Sequence, residues 1–447
     1  MDLNRFGSSR STEAAKVTSF APKKIGIMGP FGGGNLGDAA IQQAMIENIR
    51  KHVPRADIYG FSLIPHDTEK RHGIPSFPIG RLGDSTEGNG QAGRDGAYQR
   101  VVQSLRASRA PLAQSLARWL VRAPMEWGLV GDAYGNLKGF DLFIVSGGGQ
   151  LDDYWGGPFS HPYTLLKFAV LARMHGAKVM FVSVGAGPID SPLSARFIRW
   201  ALSLASYRSY RDEPSKQLIA GIGFENDADP IYPDLAHSLP IEAYLKRKAE
   251  PTARRRVGVG PMAYFDPRVW PQRDQTIYMG YLAKLADIIC WLLEERNRDV
   301  LLFTGEAEHD RLVIDDLWGL LAARGVAKND ERIIEPPIAT VDDLMTQLAT
   351  TEQVVASRFH GVLLAQLLDK PVLALSYHSK IDTLMTNMGA GEYCLPIDSF
   401  AVDSVKRAFL SMEAESRELE AKMAAQNRRY RDALAEQYRR IFASVQG

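Results

Sequence analysis

Short apolar runs rich in β-branched residues alternate with helical segments along this chain, in two successive series. The first series opens with a predicted strand at 24–29, a glycine-rich turn and a helix from about 38 to 52. The second opens with a strand at 257–261 and continues into a helix from about 275 to 296. This alternation is typical of parallel sheets covered by helices on both faces. We therefore predict an α/β protein with two Rossmann-like domains that face each other across a cleft.

Composition along the chain suggests where these domains begin and end. Residues 1–23 are polar and predict a flexible N-terminal tail, followed by an N-terminal domain at 24–245. A charged bridge then leads to a C-terminal domain at 252–400, and the helical segment 401–447 could cross back onto the first domain. Residues 83–96 hold almost no apolar side chains to bury, so we expect a mobile loop there.

The segment 98–125 allows two interpretations. Apolar residues recur in it at helical spacing, and arginines fill many of the other positions. We favour a helix pair packed on the domain with a solvated arginine face, because apolar stripes at this spacing usually belong to a core. The alternative is a basic amphipathic pair that lies on an anionic membrane surface.

The overall composition excludes several classes of protein. The chain has 447 residues, of which 45% are hydrophobic and 23% are charged, with a net charge of +1, so a dedicated nucleic-acid binder is not expected. Its two cysteines, Cys290 and Cys394, show no metal-ligand spacing and do not suggest an oxidising compartment. We recognise no secretory signal and no apolar run of transmembrane length, and we expect a cytoplasmic protein.

The turn Ser357–Gly361 places an arginine and a histidine between a predicted strand and the apolar helix that follows it. Arg358 is a fixed cation and His360 a titratable group, and both precede a helix N-terminus, where anions bind well. The next strand ends in a second basic turn with His378 and Lys380. Ligands of open α/β sheets collect at such strand ends. A surface ion pair and a backbone cap are the plainer interpretations of Arg358 and His360.

The glycine-rich block at 32–37 formally satisfies a dinucleotide-binding pattern, but the carboxylate that should follow the second strand is missing. A Gly-Lys-Ser/Thr phosphate loop is missing too, so neither NAD nor ATP has its usual support. We expect Gly34 to let a ligand approach the backbone, while Asn35 and Asp38 supply polar groups. Asp38 could equally well cap the helix.

A second glycine block, which contains Gly148 and Gly149, follows a buried strand and precedes Asp152 and Asp153. Paired carboxylates suit hydroxyl recognition or general base catalysis, although surface Asp pairs are common. Arg211 lies before a helix that starts near residue 214, where its planar fork suits a carboxylate or phosphate, or pairs with Asp212 or Glu213. An anion bound between the domains would explain Arg211 and Arg358 together.

Four blocks in this order resemble the polysaccharide pyruvyl transferase family, and the resemblance extends from about residue 24 to about residue 388. These blocks are Gly32–Ile41, Val145–Leu151, Tyr210–Ser215 and the two turns between Ala356 and Lys380. The resemblance implies a glycosyltransferase-B-like architecture and transfer of pyruvate from phosphoenolpyruvate to a sugar of a surface polysaccharide or its lipid-linked precursor. The product would be a pyruvate ketal, and no metal or organic cofactor is implied.

This chemistry assigns a provisional role to each candidate residue. Arg211 and Arg358 would bind the donor's anionic groups, and Lys380 the departing phosphate. His360 would be the general acid, and Asp38 or Asp152 the base. Further substrate contacts are expected from Gly34, Asn35, Gly148 and Gly149. Two other classes stay open: a nucleotide-sugar glycosyltransferase of the same architecture, and a non-catalytic carbohydrate-binding protein.

Overall fold

A computed structural model describes most of the chain. The described residues are 23–29, 31–80, 126–154, 156–246, 254–270, 272–306 and 309–446. The expected mobile loop at 83–96 and the helical segment 98–125 lie outside these ranges, as does most of the N-terminal tail.

The first sheet has seven parallel strands in the order β3-β2-β1-β4-β6-β5, with β7 also paired to β6. Its strands are β1 (Lys24–Met28), β2 (Asp57–Ser62), β3 (Ser76–Pro78), β4 (Leu142–Ser146), β5 (Gly149–Leu151), β6 (Lys178–Ala186) and β7 (Tyr207–Tyr210). The accompanying helices are α1 (Leu36–His52), α2 (Pro65–His72), α3 (126–136), α4 (His161–Met174), α5 (Pro192–Ser203), α6 (Glu213–Gly221) and α7 (Glu242–Leu245).

The second sheet has six parallel strands in the order β10-β9-β8-β11-β12-β13. They are β8 (Arg256–Gly260), β9 (Asp299–Leu302), β10 (Ile333–Ile334), β11 (Gln353–Ala356), β12 (Val372–Ser376) and β13 (Cys394–Pro396). The helices are α8 (Gln275–Glu294), α9 (His309–Ala322), α10 (Val341–Ala349), α11 (Phe359–Leu367), α12 (Ser379–Asn387), α13 (Val402–Ala414) and α14 (Ser416–Gln446). The predicted fold of two parallel α/β sheets is confirmed.

The central strands are buried along most or all of their length, as expected for sheets covered on both faces. Every residue of β4, β11 and β12 is buried. Strand order reverses between β1 and β4 in the first sheet and between β8 and β11 in the second. Ligands of open α/β sheets bind at such reversals, outside the carboxyl ends of the strands. The fold therefore predicts that a ligand contacts the four loops that follow β1, β4, β8 and β11.

Helix α8 corrects one expectation from the sequence. It has 20 residues and is apolar enough, by length and composition, to cross a membrane. Ten of its residues are nevertheless buried, and it packs against β9, α9 and α13. Its apolar character is that of a core helix in the C-terminal domain.

Helix α14 joins the two domains. Its Asn427 side chain donates to the backbone oxygen of Gln366 in α11, at 2.7 Å. Further along α14, the Gln437 side chain donates to the Ser209 hydroxyl of β7 at 2.6 Å. A backbone hydrogen bond of 3.0 Å from Leu36 to Gly305 adds a second connection between the domains. These contacts hold the starts of α1 and α11 close to each other.

Candidate active site

A cavity of about 210 Å³ lies between the domains, at the carboxyl ends of their strands. It brings together eight of the ten residues that the sequence singled out: Asn35, Asp38, Gly149, Asp152, Arg211, Arg358, His360 and Lys380. Gly34 and Gly148 are not among its lining residues. Both have positive φ angles, +81° and +65°, and they shape the turns from which the cavity residues project.

His360 is held between two elements of the N-terminal domain. On one side its ring lies directly over Gly37, since a Cβ atom at that position would come within 1.8 Å of Nδ1. On the other side its Nε2 atom is 3.9 Å from an Asp234 carboxylate oxygen. That distance is too long for a direct hydrogen bond but short enough for a strong charge interaction. Correct placement of His360 therefore depends on contact between the domains.

Asp234 is a site residue that the sequence analysis missed. Its side chain is only 3% exposed, and the oxygen that faces His360 also lies 3.6 Å from Nη1 of Arg211. Neither this oxygen nor His360 Nε2 has a hydrogen-bond partner among the described residues. Burial acts to raise the pKa of Asp234, but His360 and Arg211 hold it below its usual range. A permanent negative charge thus lies between the histidine and the arginine.

The two arginines have different surroundings. Arg358 donates to Asp310 through Nε at 2.7 Å and through Nη2 at 2.6 Å, and Nη2 is also 2.6 Å from Glu306. Asp310 is fully buried, so this pair is part of the folded structure. Arg211 lies over the Phe359 ring at 4.9 Å and 3.2 Å from Asp212. Both arginines line the cavity with their charge already partly balanced by carboxylates.

Lys380 differs from both arginines. No carboxylate lies within salt-bridge distance of its ammonium group in the described part of the chain. The ammonium instead lies 5.8 Å from the Phe359 ring centre and 5.5 Å from that of Tyr377. Lys380 consequently offers the cavity a positive charge that is available to an anionic ligand.

Two carboxyl groups of the cavity have pKa values above their ordinary range. Burial raises the pKa of both Asp38 and Asp152 to about 6, although Lys380 acts to lower each. The neighbouring Asp153 behaves differently, because its carboxylate accepts from the backbone amides of Asp190 and Ser191 at 3.0 and 2.9 Å. Asp152 is thus the cavity member of this pair, and a pKa near neutrality suits a general base.

The helix starts at the cavity are not equivalent. Asn35 caps α1, since its side-chain oxygen accepts from the amides of Gly37 and Asp38. Asp38 is therefore not the cap of this helix. In α12 the His378 ring accepts from the Lys380 amide. At α11 the N-cap residue Arg358 makes no side-chain capping bond to the described first turn, whose residues Phe359, His360 and Gly361 line the cavity. The first-turn amides of α11 are those best placed to bind an anion.

Two facing parallel α/β domains with a polar cavity between them define a protein of the glycosyltransferase-B-like class. Solved structures with this architecture resemble the chain. A protein from Listeria monocytogenes assigned as a UDP-N-acetylglucosamine 2-epimerase gives a TM-score of 0.54 at 13% identity, covering 95% of this chain and 96% of that one. The trehalose-phosphate synthase (UDP-forming) of Burkholderia vietnamiensis gives 0.51 at 12% identity, covering 95% and 98%. At such identities the likeness concerns the fold alone.

The sequence itself identifies the family. The family model for polysaccharide pyruvyl transferase matches residues 35–379, which is most of the chain and includes the Ser357–Gly361 turn and His378. The chain therefore belongs to the polysaccharide pyruvyl transferase family. A comparison with curated proteins finds no match.

Proposed function

We propose that this protein transfers pyruvate from phosphoenolpyruvate to a sugar of a surface polysaccharide or its lipid-linked precursor, forming a ketal and releasing phosphate. The observation that carries the proposal is the cavity itself. Around one space it places a cation and a helix start that have no carboxylate partner and no side-chain cap, respectively, among the described residues. The same space holds a histidine with a buried counter-anion and two carboxyl groups of raised pKa.

The donor has a carboxylate and a phosphate, and the cavity offers matching positive groups. The first-turn amides of α11 and the Lys380 ammonium lie on the C-terminal side, and Arg211 lies on the N-terminal side. We assign the phosphate to Lys380 and α11, because no carboxylate of the described ranges is paired with that lysine. Arg211 would bind the donor carboxylate. Arg358, held by Asp310 and Glu306, would line the site and support the loop.

Ketal formation requires balanced proton transfers. His360 would give its proton to the methylene carbon, which becomes the methyl group, and C2 becomes electrophilic. An acceptor hydroxyl would then add to C2 and lose its proton to Asp38 or Asp152. Phosphate would leave with the electron pair of the C2–O bond, and a second hydroxyl would close the ketal. Of the two hydroxyl protons, one replaces that given by His360 and the other leaves with phosphate.

The test is to follow phosphate release from phosphoenolpyruvate across a panel of free and lipid-linked glycans in heavy water. We expect acceptor-dependent phosphate and one deuterium in each product methyl group. Ligand-dependent melting with phosphoenolpyruvate and with UDP-sugars forms the second arm, because a nucleotide-sugar glycosyltransferase has the same architecture. Stabilisation by UDP-sugars alone, with no phosphate release, would contradict the proposal.

A further inference from the structure

The loop that follows β8, residues 261–270, has no role in the donor chemistry described above. Strand β8 is paired with β11, from which the Arg358–His360 turn emerges, and strand order reverses between these two strands. The loop therefore lies at the same reversal as the donor site. A ligand group at this position would be next to the donor.

Several contacts hold this loop in a fixed conformation. Phe265 has a φ angle of +58°, which is uncommon for a bulky residue. The fully buried Asp266 accepts from Arg268 at 2.6 Å, and Arg268 also lies 2.5 Å from Asp316 of α9. Backbone strain that is maintained by surrounding contacts is frequent at ligand sites. The loop is thus a built feature of the domain and presents its C-terminal end in one orientation.

That end carries Trp270, which packs against an aromatic residue of the cavity lining. The Trp270 ring packs edge-on against Tyr377 at 5.8 Å and is stacked with Phe265 at 6.1 Å. Tyr377 lines the cavity next to Lys380, and both Trp270 and Tyr377 are partly exposed. Trp270 and Tyr377 together form what we call the aromatic wall.

Across the cleft from the aromatic wall lies the turn that carries Asp152. The Tyr154 amide donates to an Asp152 carboxylate oxygen at 3.3 Å, and the Tyr154 hydroxyl donates to Gln272 at 3.0 Å. Gln272 is only two residues beyond Trp270. The hydrogen bond from Tyr154 to Gln272 therefore connects the turn that carries Asp152, a candidate base, with the segment that carries Trp270.

We propose that the aromatic wall of Trp270 and Tyr377 is the acceptor subsite and binds the apolar C–H face of a pyranose ring. This assignment rests on the proposed function, since it adds the acceptor to the donor site. A sugar ring has apolar C–H patches and a rim of hydroxyls, so it is matched by an aromatic face beside a few polar groups. Bound in this way, the ring would direct its hydroxyls toward Asp152 and Lys380.

Saturation-transfer NMR tests the subsite with defined probes. Wild-type protein is mixed with phosphoenolpyruvate and, in turn, with methyl β-D-galactopyranoside, methyl β-D-glucopyranoside and methyl α-D-mannopyranoside. Trp270→Leu keeps apolar volume but removes the ring, and Trp270→Phe restores an aromatic face. Trp200→Ala is the matched control, since Trp200 lies on α5 and is 51% exposed.

We expect saturation of the ring protons on one face of at least one glycoside by the wild type. Trp270→Leu should weaken glycoside affinity by about three- to tenfold, the range for losing one aromatic contact, while the phosphoenolpyruvate signal is retained. Trp270→Phe and Trp200→Ala should resemble the wild type. Unchanged glycoside affinity in folded Trp270→Leu, or no glycoside signal from the wild type, would overturn the subsite. A glycoside signal without a phosphoenolpyruvate signal would refute the donor instead.

Discussion

The starts of α1 and α11 face each other across the cleft, and they use their backbone amides in opposite ways. Both helices follow a central strand at the point where strand order reverses. In α1 the Asn35 side chain occupies the amides of Gly37 and Asp38, whereas at α11 the N-cap residue Arg358 makes no such side-chain bond within the described structure. A glycine-rich turn is the more familiar sign of anion binding, yet here the open amides belong to the turn with arginine and histidine. Gly37 at the start of α1 instead permits close approach of His360 from the other domain.

The first way to test this contrast is to remove the acid from the α11 side. His360→Gln should lower kcat by about two to four orders of magnitude, the usual range for a general acid, while phosphoenolpyruvate affinity changes by less than about twofold. Phosphate release and deuterium incorporation into the methyl group measure the loss. His378→Gln is the companion variant, and if it abolished turnover while His360→Gln did not, the acid would be His378.

Arg358→Ala addresses stability on the same side. Removing the guanidinium leaves the buried Asp310 without its partner, so we expect the free energy of unfolding to fall by about 3 to 5 kcal/mol. Denaturant unfolding measures it. Arg211→Ala is the comparison, and it should weaken phosphoenolpyruvate binding with a smaller loss of stability. A fully stable Arg358→Ala protein with weak donor binding would instead make Arg358 the main donor ligand.

The carboxylates on the α1 side set the acidic limb of the pH profile. Because burial raises the pKa of Asp38 and Asp152 to about 6, activity should rise with pH through about 6 as the base loses its proton. Asp38→Asn and Asp152→Asn distinguish the two carboxylates. The variant that lacks the base should lose about a hundredfold in kcat and the rise of activity with pH, whereas the other variant should keep that rise. Steady-state rates from pH 4.5 to 8 decide between them.

The same groups link pH to stability. Their folded pKa values of about 6 lie above the ordinary value of 3.8, so the folded state binds more protons between these two limits. The free energy of unfolding should therefore fall as pH rises through this window. Either Asn variant should show a flatter profile.

Gly37→Ala tests the close approach at α1. The added methyl would meet the His360 ring, so we expect kcat to fall by about ten- to a hundredfold as the acid is displaced. Gly280→Ala is the matched control, because that glycine lies within α8 and has nothing within 4 Å of the new Cβ. The control should keep full activity and gain up to about 1 kcal/mol of stability. Equal activity of both variants would show that the His360 ring can shift without a loss of kcat.

Asn35→Ala has the smallest expected effect. Loss of the α1 cap should cost about 1 kcal/mol of unfolding free energy. Phosphoenolpyruvate affinity, measured by titration calorimetry, should stay within about twofold, because the α1 amides are not the proposed anion site. A large change in affinity would reverse the contrast between the two helix starts.

Local sequence predicted the fold and most of the cavity because the relevant signals lie within a few residues of each other. Strand-to-helix turns with basic or glycine residues indicate where each loop faces. What could not be predicted were partners distant in sequence: Asp310 for Arg358, and Asp234 for His360 and Arg211. Asp234 follows a proline in a stretch that, in the sequence, suggests only the end of a domain. Only the packing of the two domains reveals that its charge lies beside His360 and Arg211.

The pairing of His360 with Asp234 also affects how readily the donor would react with water. The acid belongs to one domain and its counter-anion to the other, so any motion that opens the cleft separates them. On the proposed chemistry, a site open to bulk water would then lack the pairing of the acid with its counter-anion. Phosphoenolpyruvate bound in an open form would then meet water without the assembled acid and counter-anion. Hydrolysis of the donor would therefore be disfavoured until the domains close.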